Sequence, residues 1–198
     1  MLKYYLCAII IHYNNIMKKY FFIAMVLSIS TAFYVIDNVT DNYDMPVDSK
    51  TGKVTYKEVI DEPGKPAELY DRAYAWAKKY FVNISSTIKH RDKAAGLLKG
   101  TTRFKVQTTD KKGKKVEAGA ISYDFTIECK DNKYRVVETN FRQVNNSGNP
   151  VENWFKDTNE KAKPLHKEVF LQIDAKAKAM IVSLKAGMKP LVETTDEW

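Results

Sequence analysis

From Ile121 to Lys130 the chain alternates without a break. Ile121, Tyr123, Phe125, Ile127 and Cys129 fall on one parity, and Ser122, Asp124, Thr126, Glu128 and Lys130 on the other. A period of two sends successive side chains to opposite faces of a strand, so this stretch predicts a strand with one buried and one wet face. Such a strand needs antiparallel neighbours. Leu97 to Thr108 supplies one, with Leu98, Phe104 and Val106 sharing parity, and the polar turn Asp110 to Lys114, containing Gly113, joins the two. Tyr134 to Val144 supplies another. The turn around Asp131-Asn132 admits two registers. A two-residue loop sets Phe125 opposite Glu138 and mixes the faces. A three-residue loop, Asp131 to Lys133, pairs Ile127 with Val137, Phe125 with Thr139 and Tyr123 with Phe141. We adopt the second, because a one-residue slip exposes the core face.

Around this meander the pattern changes. Ser49 to Gly52 is a turn signal, and Lys53 to Ile60 reads as a first strand ended by Pro63-Gly64. Pro66 suits a first helical position, and Leu69, Ala73, Trp76, Ala77 and Tyr80 form one apolar stripe behind it. Ser86 to Arg91 reads as a short strand with Ile88 inward. After a loop from Asn145 to Pro150, Pro164 opens a long helix to about Ala186, stopped by Gly187 with Pro190 beyond. Its stripe is Leu165, Val169, Ile173, Ala177, Met180 and Leu184, widened by Phe170 and Ile181. The order β-α-β-β-β-β-α fits an α+β fold: a single antiparallel sheet of about five strands with both helices on one face. The other face carries Arg103, Lys105, Ser122, Asp124, Thr126 and Glu128.

The first 36 residues hold no acidic side chain. From Met17 the sequence reads as Lys18-Lys19, an apolar run from Tyr20 to Ile29, then Ser30-Thr31-Ala32, the order of a secretory signal. The run is shorter than the roughly 20 residues that span a bilayer. Residues 1–32 are therefore expected as a leader, with the true start at Met1 or Met17. Residues 33–48 follow as an extended segment, 49–190 as the α+β domain and 191–198 as an acidic tail. Cys7 lacks the small residues that precede a lipidated cysteine. Cleavage near Ala32 leaves Cys129 alone, without a partner for a disulfide, and its place on an apolar strand face marks it as a buried small hydrophobe.

The stretch Gly52-Lys53-Val54-Thr55-Tyr56-Lys57-Glu58-Val59, then Pro63-Gly64, Leu69-Tyr70-Asp71-Arg72-Ala73 and Trp76-Ala77, resembles a secreted Bacteroidetes family. That family is a domain of unknown function with a TATA-binding-protein-like fold. The resemblance spans roughly residues 45–144, and the last helix suits the same element order. It implies the fold and an extracytoplasmic location, periplasmic or secreted. No activity attaches to the family, so no functional residue is carried over, and a shape-based name does not imply DNA binding.

Chemistry-bearing motifs are scarce. His90 and His166 lack the spacing that places two ligands on one metal. No G-x-S-x-G, Walker or G-x-G-x-x-G pattern occurs. Asp61-Glu62 reads as a solvated turn. No catalytic residue, metal or cofactor is expected. Charge is the one asymmetry: the formal net charge is +8, and residues 78–115 hold 12 basic side chains against Asp92 and Asp110. Losing Lys3, Lys18 and Lys19 with the leader reduces the net charge to +5, too modest to indicate nucleic acid alone. Basic turns and edges also keep an exported sheet soluble and unpaired. Arg103 and Lys105 on the open face, and Trp154 and Phe155 off the main stripes, are the candidate contact residues. The expectation is a non-catalytic exported binding or structural domain of the cell envelope, meeting an envelope protein or glycan, with membrane contact only through an uncleaved leader. The alternatives are a nucleic-acid-binding module using the open sheet face and, third, a hydrolase.

Overall fold

The computed structural model describes residues 45–144 and 148–190. The expected leader, most of the extended segment and the acidic tail lie outside them. The described elements are β1 (Tyr56–Asp61), α1 (Pro66–Tyr80), α2 (Ile84–Thr87), β2 (Ile88–Asp92), β3 (Leu97–Thr109), β4 (Lys115–Lys130) and β5 (Lys133–Gln143). A 3-10 helix (Val151–Lys156) and α3 (Lys163–Gly187) follow. The strands form one antiparallel five-stranded sheet in the order β1-β5-β4-β3-β2. Both long helices pack on one of its faces, as the stripes require.

Helix α1 starts where the chain supplies its own cap. Pro66 opens it, and the Glu68 carboxylate accepts the backbone N–H of Lys65 at 3.1 Å. Leu69, Tyr70, Ala73, Trp76 and Ala77 are buried. In α3 the buried set is Val169, Phe170, Ile173, Ala177, Met180, Ile181 and Leu184. Leu165, expected in that stripe, is instead 41% exposed, because it precedes the point where α3 meets the sheet. The helices meet closely. Trp76 Nε1 donates to Ser183 Oγ at 3.1 Å, and a Cβ on Gly187 would stand 2.5 Å from Trp76 Cδ1. Gly187 is thus the last helical residue, required by a neighbouring ring, rather than a stop signal beyond the helix.

Several expected boundaries move for local reasons. Residues 45–48 are tied to the domain: Val47 bridges Val54, and Met45 packs against the core. The turn between them is held by Asp48 Oδ1, which accepts from the N–H of Lys50 and Thr51. That bridge takes Val54 out of β1, which begins only at Tyr56. Ser86-Thr87 close the short helix α2 instead of opening a strand, since Asn83 Oδ1 accepts the Ser86 N–H at 3.0 Å and caps the turn. Strand β4 begins at Lys115, with Gly119 at φ 95° forming a bulge opposite β3.

The β4–β5 register is the main correction. Lys130 faces Lys133, Ile127 faces Val136 and Phe125 faces Glu138, the two-residue-loop register. Asn132 takes φ 58° in that turn, a conformation Asn tolerates. The inward residues of β5 are therefore Tyr134, Val136 and Glu138. Parity then changes. Asp124 faces Thr139 but Ser122 faces Arg142, so β5 carries an extra residue, and Asn140 sits there at φ 56°. The bulge turns Phe141 back inward, where it stacks on Tyr123 at 5.1 Å. The two-residue register holds from Lys130 to Asp124, and the expected pairings of Ile127 with Val137 and Phe125 with Thr139 do not form. The bulge shifts the register only beyond Asp124.

Candidate binding groove

The four candidate contact residues separate in space. Trp154 and Phe155 lie on the 3-10 helix and pack within the domain: Trp154 stacks on His166 at 4.7 Å, and Phe155 rests against Phe170 at 5.2 Å. Lys105 pairs with Glu117 at 3.0 Å. Arg103 is exposed on β3 opposite Ser122 and lines a groove that the other three do not reach.

The open sheet face carries its own charge network. Asp124 accepts from Thr101 at 2.7 Å, Asn140 at 2.8 Å and Arg142 at 3.0 Å. Glu128 pairs with Arg135 and with Lys130. The expected neutralisation is present, but the cross-strand cations are Arg135 and Arg142 of β5, with Lys130 of β4 itself also on Glu128. Arg103 has no carboxylate partner among the described residues.

The groove, about 730 Å³, runs beside β3 and also reaches Ser122 and Tyr123 of β4. That volume is within the range of small-molecule and peptide sites. Its walls come from the C-terminal end of α1, from α2, from the start of β2, from β3, from β4 and from α3. Sequence-distant residues meet there: Tyr80 and Phe81, Ser86 and Thr87, Lys89, Thr101 to Arg103, and Lys176. Phe81 forms the apolar floor, stacked on Phe125 at 5.1 Å and met edge-on by Tyr80 at 5.0 Å. Val82 at the rim is fully solvent-exposed. Gly100 permits this floor, because a Cβ there would stand 2.5 Å from Phe125 Cζ and 2.6 Å from the Thr87 carbonyl oxygen. Lys89, Arg103 and Lys176 supply charge. None of the three pairs with a carboxylate among the described residues, and no Asp, Glu, His or Cys lines the groove. Lys176 sits over the Tyr80 ring, 5.7 Å from its centroid.

Behind this wall is Glu138, with no exposed surface and neither carboxylate oxygen hydrogen-bonded. Burial pushes its pKa up to about 8, and the charge of Lys176 opposes the shift. Burial raises the pKa values of the Tyr56, Tyr80 and Tyr123 hydroxyls, helped by Asp174 at Tyr56 and to a smaller degree by the charge of Glu138 at all three. Tyr56 donates to Asp174 at 3.1 Å and Tyr123 to Met180 Sδ at 3.2 Å, so neither serves Glu138.

Other titratable candidates fall elsewhere. His90 is exposed on β2 beside Lys99. Burial holds the His166 pKa down, against Asp157 at 3.7 Å. Cys129 is buried, with its thiol pushed up to about 12 by burial and then by Glu128. Glu62, expected in a solvated turn, is 2% exposed. It is held by Lys189 at 2.7 Å and Arg72 at 3.8 Å, and Arg72 also donates to the carbonyls of Pro63 and Met188. This cluster ties the β1–α1 turn to the end of α3, a structural task. Among the described residues no three His, Cys, Asp or Glu side chains come together as a metal site, and no helix is long and apolar enough to cross a membrane.

The geometry defines a single-sheet α+β domain with two helices on one face and a groove at one sheet edge. Residues 56–143 match the model of a domain of unknown function, DUF4468, with a TBP-like fold. Two crystal structures resemble it. A DUF4468 family protein from Bacteroides ovatus is 20% identical, with a TM-score of 0.55 over 74% of this chain and 91% of that one. A TBP-like protein from Parabacteroides distasonis is 18% identical, with a TM-score of 0.51 over 71% of this chain and 97% of that one. At these identities the likeness concerns the fold. Among curated proteins none matches the sequence. Neither the family description nor these two structures names a catalytic activity or a ligand.

Proposed function

We propose that this protein is an exported, non-catalytic binding domain of the cell envelope, with the groove beside β3 as its ligand site. The observation that carries the reading is the lining of that groove. Three unpaired cations surround an aromatic floor, with no carboxylate, imidazole or thiol among them. No hydrogen bond joins two of the lysine, tyrosine or serine side chains of this lining into the pair that acid–base or nucleophilic catalysis commonly uses. Recognition needs only shape, charge and a few polar groups, which it has. Export is read from Met17 to Ala32. A nucleic-acid role on the open face is disfavoured by Asp124 and Glu128, since carboxylates repel phosphate.

Site-specific photocrosslinking in the native envelope tests the reading. A crosslinker at Ser86, on the groove rim, is expected to trap a discrete partner, while one at Val182, exposed on α3, traps none. The chain recovered from the envelope is expected to begin near Phe33. Recovery from the cytoplasm with an intact leader, or equal trapping from both positions, would sink the proposal.

A further inference from the structure

We propose that the free edge of β3, from Thr101 to Lys105, accepts an extended acidic peptide as an added strand seated in the groove. This rests on the groove being the binding site and names the partner's chemistry. Strand β2 pairs with β3 only from Leu97 to Gly100. At the far end α3 covers the edge. There the Gln172 side chain imitates a strand: its Oε1 accepts the Gln107 N–H at 3.0 Å, and its Nε2 donates to the Gln107 carbonyl at 2.7 Å.

That pair of bonds fixes the orientation of the edge. A strand residue turns its N–H and C=O to one side, and the next residue turns both to the other. The bulge beside Gln107 has its extra residue on β4, since Lys105 faces Ala120 while Gln107 faces Glu117. Strand β3 is therefore continuous, and Thr101, Arg103 and Lys105 point their backbone groups outward as Gln107 does. No strand pairs with that side of them in the described residues.

Helix α3 shows where the cover stops. Glu168, Gln172 and Lys176 lie four residues apart, about 6 Å per step, close to the roughly 6.8 Å spanned by two strand residues. Glu168 accepts from the Thr109 hydroxyl at 2.9 Å, and Gln172 serves Gln107 two residues back. The next step is Lys176, which bonds to nothing on β3 and faces the groove. About five residues of edge, roughly 17 Å, stay uncovered, the length of a short strand. Arg103 and Lys105 on that edge repel a second copy of it, as edge cations do. Arg103 with Lys89 and Lys176 attracts carboxylates, while Phe81 and Val82 offer apolar contact to alternate side chains of the guest.

The test is a nuclear magnetic resonance titration of the isotope-labelled chain with a blocked peptide of about seven residues, alternating valine with glutamate or aspartate. The expected result is amide shifts and slowed hydrogen exchange at Thr101, Arg103 and Lys105. N-methylating the peptide at alternate residues is expected to weaken binding about ten-fold or more, through lost hydrogen bonds. Arg103→Pro, which removes one outward N–H on an edge strand, should do the same while the circular dichroism spectrum is kept. Equal affinity for the N-methylated peptide overturns strand addition and leaves a charged binding groove. Shifts with glucuronate or a sulfated sugar, and none with the peptide, overturn the peptide class. No shift in the groove with any probe removes the groove itself as a site.

Discussion

Glu138 offers the sharpest quantitative test of this structure. It faces Tyr56 on β1 and Phe125 on β4, has no exposed surface and has no hydrogen-bond partner. The groups that face it are Tyr56 from β1, Tyr80 from α1, Tyr123 from β4 and Lys176 from α3, and only the last is charged and favourable. Burial raises its pKa from 4.5 to about 8. Between those values the folded chain holds a proton that the unfolded chain has released. Stability is therefore full below about pH 4.5, falls as pH rises, and levels off above about pH 8. Each unit corresponds to about 1.4 kcal/mol, so the loss is roughly 3 kcal/mol at pH 7 and roughly 5 kcal/mol at the plateau. Glu138→Met, similar in length and without a charge, is expected to recover about 3 kcal/mol at pH 7 and to flatten the profile between pH 5 and 8. Glu138→Gln flattens the slope but gains less, since an unpaired buried amide itself costs about 1–3 kcal/mol. Urea melts across pH 4 to 9 measure this directly. Parallel pH profiles for Glu138→Met and the parent would refute the buried, unpartnered carboxyl.

Three further outcomes follow from the packing. Phe125→Ala is expected to cost about 3–5 kcal/mol, because Phe125 is buried and stacks on Phe81, while Thr126→Ala on the open face changes stability by roughly 0.5 kcal/mol or less. Equal losses in denaturant melts would overturn the assignment of faces. Gly187→Ala should destabilise by about 1–3 kcal/mol despite alanine's better helix propensity, since its Cβ meets the Trp76 ring; a higher melting temperature would contradict the helix contact. Duplex DNA should bind only weakly, at about 10⁻⁴ to 10⁻⁶ M near physiological salt. Nanomolar affinity, abolished by Arg103→Ala with Lys105→Ala, would show the open face to be a nucleic-acid surface.

Much of the fold was legible because strand and helix periods are local. The stripe on α1, the alternation of β4 and the single-sheet architecture all follow from spacing. The register of β5 was not, because the sequence offers two consistent parities: Tyr134 and Val136 on one, Phe141 on the other. Preferring the parity that hides more carbon assumed an unbroken strand and a fully apolar core. Asn140 at φ 56° breaks the first assumption and Glu138 the second. The groove was illegible for a different reason. Tyr80, Lys89, Arg103 and Lys176 come from four separate elements, and only the packing of α3 along β3 assembles them. Arg103 alone of these was a candidate in the sequence, as a basic side chain on the open sheet face.

The two surfaces of the sheet differ in how much of their polar chemistry is already committed. On the open face Asp124 has three donors, Glu128 has two cations and Lys53 donates to Asn140, so a ligand there must break existing bonds before making its own. Beside β3 less is committed: no strand pairs with the outward backbone groups of Thr101, Arg103 and Lys105, and Lys89, Arg103 and Lys176 have no carboxylate partner among the described residues. Exchange of one satisfied bond for another yields little net free energy, whereas a ligand that meets unpaired groups gains the full difference between water and protein partners. The fold places its broad open sheet face on the first surface and its uncommitted groups on the second. A ligand for this domain is therefore to be sought at the sheet edge.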